Sequence, residues 1–393
     1  MLRMVGLFAG IGGIEQGFRQ TFGDGLQTRL LCDNWVPAQA VLREQFPGVP
    51  IHPDVRELER IPAGTDILAA GFPCTDLSQA GMTAGIRGGQ SGLISHVFDA
   101  LRLSRRGRPA WILVENVHNM LALGRGQAMA YLVGELEQLG YRWAYRVVDS
   151  RFTGVPQRRR RVILLAGRRD DPRTVLFADD AGEPADDERY RRDAFGFYWT
   201  EGLRGLGWAR DAVPTLKGGS GLGIPSPPAI WVPHAEPGRK LVVPTVEEAE
   251  RLQGFPSGWT AAACAAGRAG VRWKLVGNAV TVGVAAWVAA RLRHPGEPAA
   301  ESVELDRTAW PPAAWGDHGQ RWRIDISEYP RLAAYTPLAH VVDLASAAPL
   351  SHRAAAGFWH RLRQSNLGRT PGFRADIAEH VALTIPRPSA ATA

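Results

Sequence analysis

The sequence predicts an α/β protein in which a mostly parallel sheet, covered by helices, is joined to a smaller irregular module and a C-terminal extension. Three observations carry that prediction. Short apolar runs alternate with longer helical patterns up to about residue 168; unusual polar residues stand just past the ends of those runs; and after residue 193 the chain turns rich in Gly, Pro and aromatic residues and loses its periodicity. With 393 residues, 45% of them hydrophobic, the chain can bury one large core and a second, smaller one.

Taken in order, "MVGLFA" reads as a strand and "GGIEQGFRQTF" as its helix, followed by the strand "TRLLCDN" and the helix "PAQAVLREQF". "TDILAAG", "AWILVEN" and "RVILLAG" then read as further strands, so residues 1–169 form the first unit. Residues 170–193 are charged and aperiodic and read as an exposed connection, opening a second unit over 170–243. Helical character returns at "TVEEAERLQGF" and "AVTVGVAAWVAARL", which place 244–293 back with the first unit. A Pro-rich linker then leads to an accessory extension over 294–393, where "SHRAAAGFWHRLRQSNLGRT" reads as an amphipathic helix with Phe358, Trp359 and Leu362 on its apolar side.

Composition narrows the chemistry. Cys32, Cys74 and Cys264 are the three cysteines, with no C-x-x-C spacing, which excludes a disulfide framework and a cysteine-rich zinc site; no metal is expected. A formal net charge of +7, carried mostly by arginine, makes the surface attractive to polyanions. No run of eighteen apolar residues stands out, and the N-terminus shows no cleavage signal, so a cytoplasmic protein without membrane contact is expected.

Open α/β sheets bind ligands at the carboxyl ends of their strands. "FAGIGG" fits a tight, glycine-bearing approach to a ligand, but a dinucleotide fingerprint starting at Gly10 would need Gly or Ala where Glu15 stands, which disfavours NAD. Asp33 in "CDNW" is placed to accept from ribose hydroxyls, Trp35 to stack on a purine, and Asp54 in "HPDVREL" to accept from an adenine amino group. Cys74 follows a proline at a strand end, where a thiolate can serve as nucleophile. Glu115 and Asn116 emerge from "LVENV", where a carboxylate can hold or move a proton. Strand alternation through "QRRRR" sends Arg159 and Arg161 to one face and Arg158 and Arg160 to the other.

Six strings, "FAGIGG", "GFPCTDLS", "ENV", "QRRRR", "RLQGFP" and "GNAV", occur in an order and spacing that resembles the DNA (cytosine-5)-methyltransferases over residues 4 to about 292. That resemblance implies a Rossmann-like S-adenosylmethionine-dependent methyltransferase domain acting on a flipped-out cytosine in duplex DNA, in restriction-modification or a related defence. It assigns the nucleophile to Cys74, the acid engaging the base to Glu115, and support of the base to Arg159 and Arg161, with Asn116 beside them. It implies that Phe8, Ala9, Gly10, Gly12, Gly13, Asp33, Trp35, Asp54, Val55, Leu93 and Asn278 hold S-adenosyl-L-methionine, with Asn34 able to share the ribose contact. The target-recognition region falls at about 170–243, with Thr215 and Leu216 as base contacts, while Ser78 and Arg87 belong to a catalytic loop over the DNA. A monomer is expected, with a cognate restriction or defence protein as a further partner. The alternatives are an idle DNA-binding relative and an RNA cytosine methyltransferase.

Overall fold

The computed structural model of the protein describes residues 1–72, 92–104, 107–218, 226–266, 270–305 and 309–385. Cys74, Ser78 and Arg87 lie outside the described residues.

Strands β1 (Leu2–Leu7), β2 (Leu26–Cys32), β3 (Ile51–His52), β4 (Ile67–Ala70) and β5 (Trp111–Val117) pair in parallel in the spatial order β3-β2-β1-β4-β5. Helices α1 (Gly13–Phe22), α2 (Val36–Gln45) and α3 (Leu93–Leu103) connect them. Alternation along each strand divides the core in two. Val5, Leu7, Leu68 and Ala70 face α3 and α4 (Gln127–Gln138), while Met4, Ile67 and Ala69 face α1 and a later helix around Trp287.

Beyond β5 the expected mostly parallel sheet becomes mixed. β6 (Arg142–Asp149) is followed by a short helical turn, β7 (Gln157–Arg158) and β8 (Arg160–Gly167), and β8 returns between β5 and β6, antiparallel to both. So short a connection cannot supply the crossover that a parallel neighbour needs.

The second module carries β9 (Phe195–Phe197), β10 (Ala209–Arg210), β11 (Val213–Pro214), β12 (Ala229–Trp231) and β13 (Leu241–Val243). β11 pairs with β7, which stitches the module to the catalytic strands. The chain then re-enters the first body through α5 (Val246–Leu252), capped by a reciprocal Thr245–Glu248 box, and through α6 (Val271–Asn278) and α7 (Val282–Arg293). Contrary to the sequence reading, hydropathy does single out Val271–Arg293 as long and apolar enough to cross a bilayer, yet 61% of its most apolar window is buried inside the fold. α7 lies close on α1 because Gly17 has no side chain: a Cβ there would stand 2.6 Å from the Ala285 Cβ.

Of residues 294–393, read from sequence as a linker and an accessory extension, those described divide between the two bodies. β14 (Ser302–Glu304), β15 (Ala313–Asp317) and β16 (Gln320–Ile324) prolong the large sheet to ten strands, in the order β14-β16-β15-β6-β8-β5-β4-β1-β2-β3. β17 (Ala348–Pro349) joins the smaller sheet in the order β10-β9-β12-β13-β17. The predicted amphipathic helix forms as α8 (His352–Arg363), capped by Ser351, and with α9 (Phe373–Leu383) it covers that sheet. Ala355, Phe358 and Leu362 are buried there with Phe197, Trp231 and Phe373. Asp376 accepts from the Trp231 indole at 2.8 Å and from Lys240 at 2.7 Å. The tail therefore completes the core of the second module.

Candidate active site

The glycine loop after β1 is built from left-handed backbone. Phe8, Gly10 and Gly12 have φ of 54°, 58° and 78°, and Gly12 caps the start of α1. A non-glycine residue in that region stores strain, which functional loops tolerate when their surroundings fix them. Here the Ala9 amide donates to the Cys32 carbonyl at 3.0 Å and the Gly10 amide to Asp33 Oδ2 at 2.8 Å. The other Asp33 oxygen accepts from the Trp35 amide at 2.9 Å, so one carboxylate clamps the β1 and β2 loops together. Burial raises the Asp33 pKa, and the Trp35 and Gly10 amides oppose the rise. Nothing lies within 4 Å of where a Cβ on Gly10 would stand, leaving open space over the loop. Gly13 instead serves packing: a Cβ there would come within 2.4 Å of the Val280 carbonyl oxygen.

Around this loop the remaining predicted cofactor residues separate by access. Asn34 and Asn278 are exposed, and Trp35 and Leu93 are half-buried. Lys274 Nζ sits 4.8 Å from the Trp35 ring centroid, so a purine stacking on that face displaces the lysine. Asp54 accepts from its neighbour Arg56 through both side-chain and backbone donors, and that pairing holds its carboxyl below the ordinary range. The Val55 side chain is buried in the core, which leaves only its backbone to meet a ligand.

Beneath the loop lies a group that sequence reading used only to argue against NAD. Glu15 is buried, one of its carboxylate oxygens has no hydrogen-bond partner, and burial pushes its pKa up to about 7. Gly6 makes room for it, since a Cβ there would stand 1.9 Å from Glu15 Oε1. A carboxyl whose folded pKa exceeds its unfolded value binds the extra proton in the native state. Its ionisation therefore costs stability as pH rises, over a window from the unfolded value near 4.5 to about 7. Glu15→Gln is expected to flatten that slope in urea titrations, gaining on wild type at neutral pH by about 3 kcal/mol as an upper estimate. A difference between the two proteins that stays constant from acid to neutral pH would contradict this reading.

At the ends of β5 and β8 the structure brings Glu115 and Arg161 together. Arg161 Nε lies 3.0 Å from Glu115 Oε1, and both side chains are about nine-tenths buried. Beside them, Asn116 Nδ2 donates to the Phe72 carbonyl at 3.0 Å, while its Oδ1 accepts from the Val117 amide at 2.8 Å. Asn116 thereby anchors the chain two residues before Cys74 to the strand that carries Glu115. Of the cysteines described, Cys32 is buried at the end of β2, and burial, with Asp33 and Asp54 adding to it, pushes its thiol up to about 12. It is a core residue.

The arginines alternate as the strand pattern predicted: Arg159 and Arg161 turn inward, and Arg158 and Arg160 are exposed. The two inward arginines do different things. Arg159 is buried, and its guanidinium donates to the carbonyls of Leu216, Gly277 and Ala279 at 3.2, 3.3 and 2.7 Å. Burial lowers its pKa to about 9, with the nearby Arg161 charge contributing. It ties three segments together, whereas Arg161 meets the carboxylate.

Gln157 reinforces the same junction. Its Oε1 accepts from the Leu216 amide and its Nε2 donates to Gln253 Oε1 and the Leu252 carbonyl, each at 3.0 Å. Thr215 donates to the Arg158 carbonyl at 3.0 Å and borders the cleft described next. The Leu216 side chain is buried in an apolar cluster with Val213 and Ile230, and only Thr215 of the pair is accessible.

A cleft of about 780 Å³ opens between the two bodies. Arg158, Arg160, Arg161 and His118 line one side, Tyr198, Pro214 and Thr215 the second module's side, and Pro312, Ile326, Ser327 and Glu328 of the C-terminal segment close it. Tyr198 and Glu328 escaped the sequence analysis, because nothing local marks either one.

Comparison with known proteins agrees with this arrangement. The family model described as C-5 cytosine-specific DNA methylase matches residues 2–194. The Type II methyltransferase M2.BsuMI of Bacillus subtilis (strain 168) is 45% identical over 375 residues, which is 92% of this chain and 93% of that protein. The Type II methyltransferase M.Bsp6I of Bacillus sp. (strain RFL6) is 30% identical over 65% of this chain and 88% of its own. Among solved structures, the S. pombe Dnmt2 methyltransferase has a similar fold with a TM-score of 0.54 at 15% identity, covering 74% of this chain and 98% of its own. An Entamoeba histolytica methyltransferase, EhMeth, gives 0.52 at 14% identity, over 75% of this chain and 98% of its own. With the loop, the Glu115–Arg161 pair and the cleft in place, the chain belongs to the C-5 cytosine-specific DNA methylases.

Proposed function

We propose that the protein methylates carbon 5 of a cytosine within a specific duplex sequence through a transient bond to Cys74, using S-adenosyl-L-methionine. The observation that carries this reading is the buried Glu115–Arg161 pair beside Asn116, which anchors the approach to Cys74. When bound, S-adenosylmethionine supplies an electrophilic methyl group on a sulfonium. Phe8, Ala9, Gly10 and Gly12 would hold it, with Asp33, Asn34, Trp35, Asp54, the Val55 backbone, Leu93 and Asn278 around it. The open space over Gly10 and the acceptors beside it suit a nucleoside with an amino-acid tail.

Carbon 5 of cytosine is too electron-poor to take a methyl group unaided. The Cys74 thiolate adds to carbon 6, and a proton held by Glu115 at N3 takes up the charge pushed into the ring. Arg161 fixes that carboxyl group and adds positive potential where the charge develops. Carbon 5 then accepts the methyl group and loses its proton to a base, and the thiolate leaves from carbon 6 to restore the ring. Because carbon 6 is covered inside stacked DNA, the base must leave the helix. The cleft is the channel for the duplex, with Thr215 on the recognition side; the DNA contacts expected of Ser78 and Arg87 fall outside the described residues. The protein works in the cytoplasm on genomic DNA in a restriction-modification setting, a reading supported by its relatives' being Type II methyltransferases.

Transfer of label from tritiated S-adenosylmethionine is expected on duplex DNA and absent on tRNA, with bisulfite sequencing of a plasmid from an expressing host reporting one short motif. Labelling of tRNA in preference to duplex DNA would overturn the substrate assignment.

A further inference from the structure

The solved relatives are matched over 98% of their length by about three quarters of this chain. The C-terminal segment nevertheless places a carboxylate in the cleft. Arg160 Nε donates to Glu328 Oε2 at 2.7 Å, and its Nη2 meets Glu328 Oε1, so the ion pair is bidentate. The Glu328 side chain is 24% exposed and the Arg160 side chain 45%.

The carboxylate is firmly presented. The Glu328 carbonyl accepts from the Asp149 amide at the end of β6 at 3.0 Å. Its neighbour Ser327 is held by the buried guanidinium of Arg146, which donates twice to the Ser327 carbonyl at 2.9 and 2.7 Å, and by Asp180, which accepts from the Ser327 amide at 3.2 Å. The partner is fixed as well, because the Arg160 carbonyl accepts from Arg161 Nη1 at 2.8 Å. His118 also lines this end of the cleft. Arg158, two residues from Arg160 on the same exposed face, has no side-chain hydrogen bond or ion pair among the described residues.

A cleft built only to grip phosphates gains nothing from a rigid carboxylate on one of its arginines. We propose that Glu328 tempers the affinity of the cleft for the DNA backbone: by occupying Arg160 it withholds that guanidinium from the phosphates of any duplex and so speeds release from DNA. The proposal rests on the reading of this cleft as the DNA channel. Non-specific binding is nearly all phosphate neutralisation, and each phosphate neutralised releases counterions and steepens the salt dependence. A pre-neutralised arginine is removed from that sum. Because phosphate contacts carry no sequence information, target and bulk DNA are weakened alike.

The test compares Glu328→Gln with wild type on a target duplex and on one of scrambled sequence, at several salt concentrations. The variant is expected to bind scrambled DNA more tightly, and its log–log salt slope should steepen by about one. Its advantage over wild type should shrink about threefold between ~50 and ~200 mM salt, on target and scrambled duplexes alike. In an Arg160→Gln background, Glu328→Gln should gain less, because it then removes only an unpaired carboxylate and frees no guanidinium. A second pair guards against misfolding: Arg160→Gln leaves the Glu328 carboxylate unpaired in the cleft and should weaken scrambled-DNA binding, with the double variant returning near wild type, while Arg158→Gln should weaken it and flatten the slope by about one. Unchanged or weaker scrambled-DNA binding by Glu328→Gln, or an equal gain without Arg160, would overturn the proposal while leaving the methylation reading intact. Failure of wild type to bind or methylate any duplex would overturn the reading beneath it.

Discussion

Replacing Cys74 by serine is expected to lower methyl transfer to duplex DNA by at least about 10³-fold, with duplex affinity left within about threefold. The split follows from what the thiolate does. It is asked for one bond, to carbon 6, and a hydroxyl at the same place is both far less ionised and a poorer leaving group from the adduct. On the proposed reading, affinity comes from elsewhere, through the cleft arginines and the second module. Of the other cysteines, Cys32 is buried with its thiol pushed up to about 12, so it cannot substitute. Single-turnover transfer of tritiated methyl groups, together with gel-shift titration, separates the two quantities. Loss of binding in step with activity would assign Cys74 a structural part instead.

Glu115→Gln is expected to cost about 10² to 10⁴-fold in the same transfer, the range general-acid removal spans. Glutamine keeps the size and a hydrogen bond to N3 but has no proton to give. Because Arg161 reaches the base's charge partly through that carboxylate, at 3.0 Å, the two residues act as one unit. Arg161→Met is expected to cost less alone, and the double variant to be little worse than Glu115→Gln. Fully additive losses would mean that the two groups act independently. Arg159→Met makes the contrast: its loss leaves the Leu216, Gly277 and Ala279 carbonyls without their buried donor, so it lowers stability before it alters chemistry.

Much of this was legible in the sequence, and the reasons differ by element. Strand ends were readable because apolar runs stop abruptly at "LFAG" and "ILVEN", and polar residues at those ends mark the ligand side, whereas antiparallel β8 brings its arginines from its amino end. The inward turn of Arg159 and Arg161 followed from the two-residue period of a strand. That period could not divide labour between them, because it gives the face and not the partner: Arg159 finds carbonyls 57 to 120 residues away. The antiparallel return of β8 depends on a short turn whose residues look like any loop. The tail was harder still. Its helix was visible in the spacing of Phe358 and Leu362, but pairing of β15 with β6 and of β17 with β13 joins segments remote in sequence, and nothing local encodes it. Glu328 is one more surface glutamate until the fold sets it against Arg160, 168 residues earlier.

Covalent capture tests the central claim most directly. On target duplex carrying 5-fluorocytosine, carbon 5 has no proton to lose, so the thiolate cannot leave. With S-adenosylmethionine present, a denaturation-resistant protein–DNA adduct is expected, mapping by peptide sequencing to Cys74 and lost in Cys74→Ser. Adduct formation that survives that substitution, or methylation of ordinary target DNA by a protein that never captures the fluorinated one, would contradict the account.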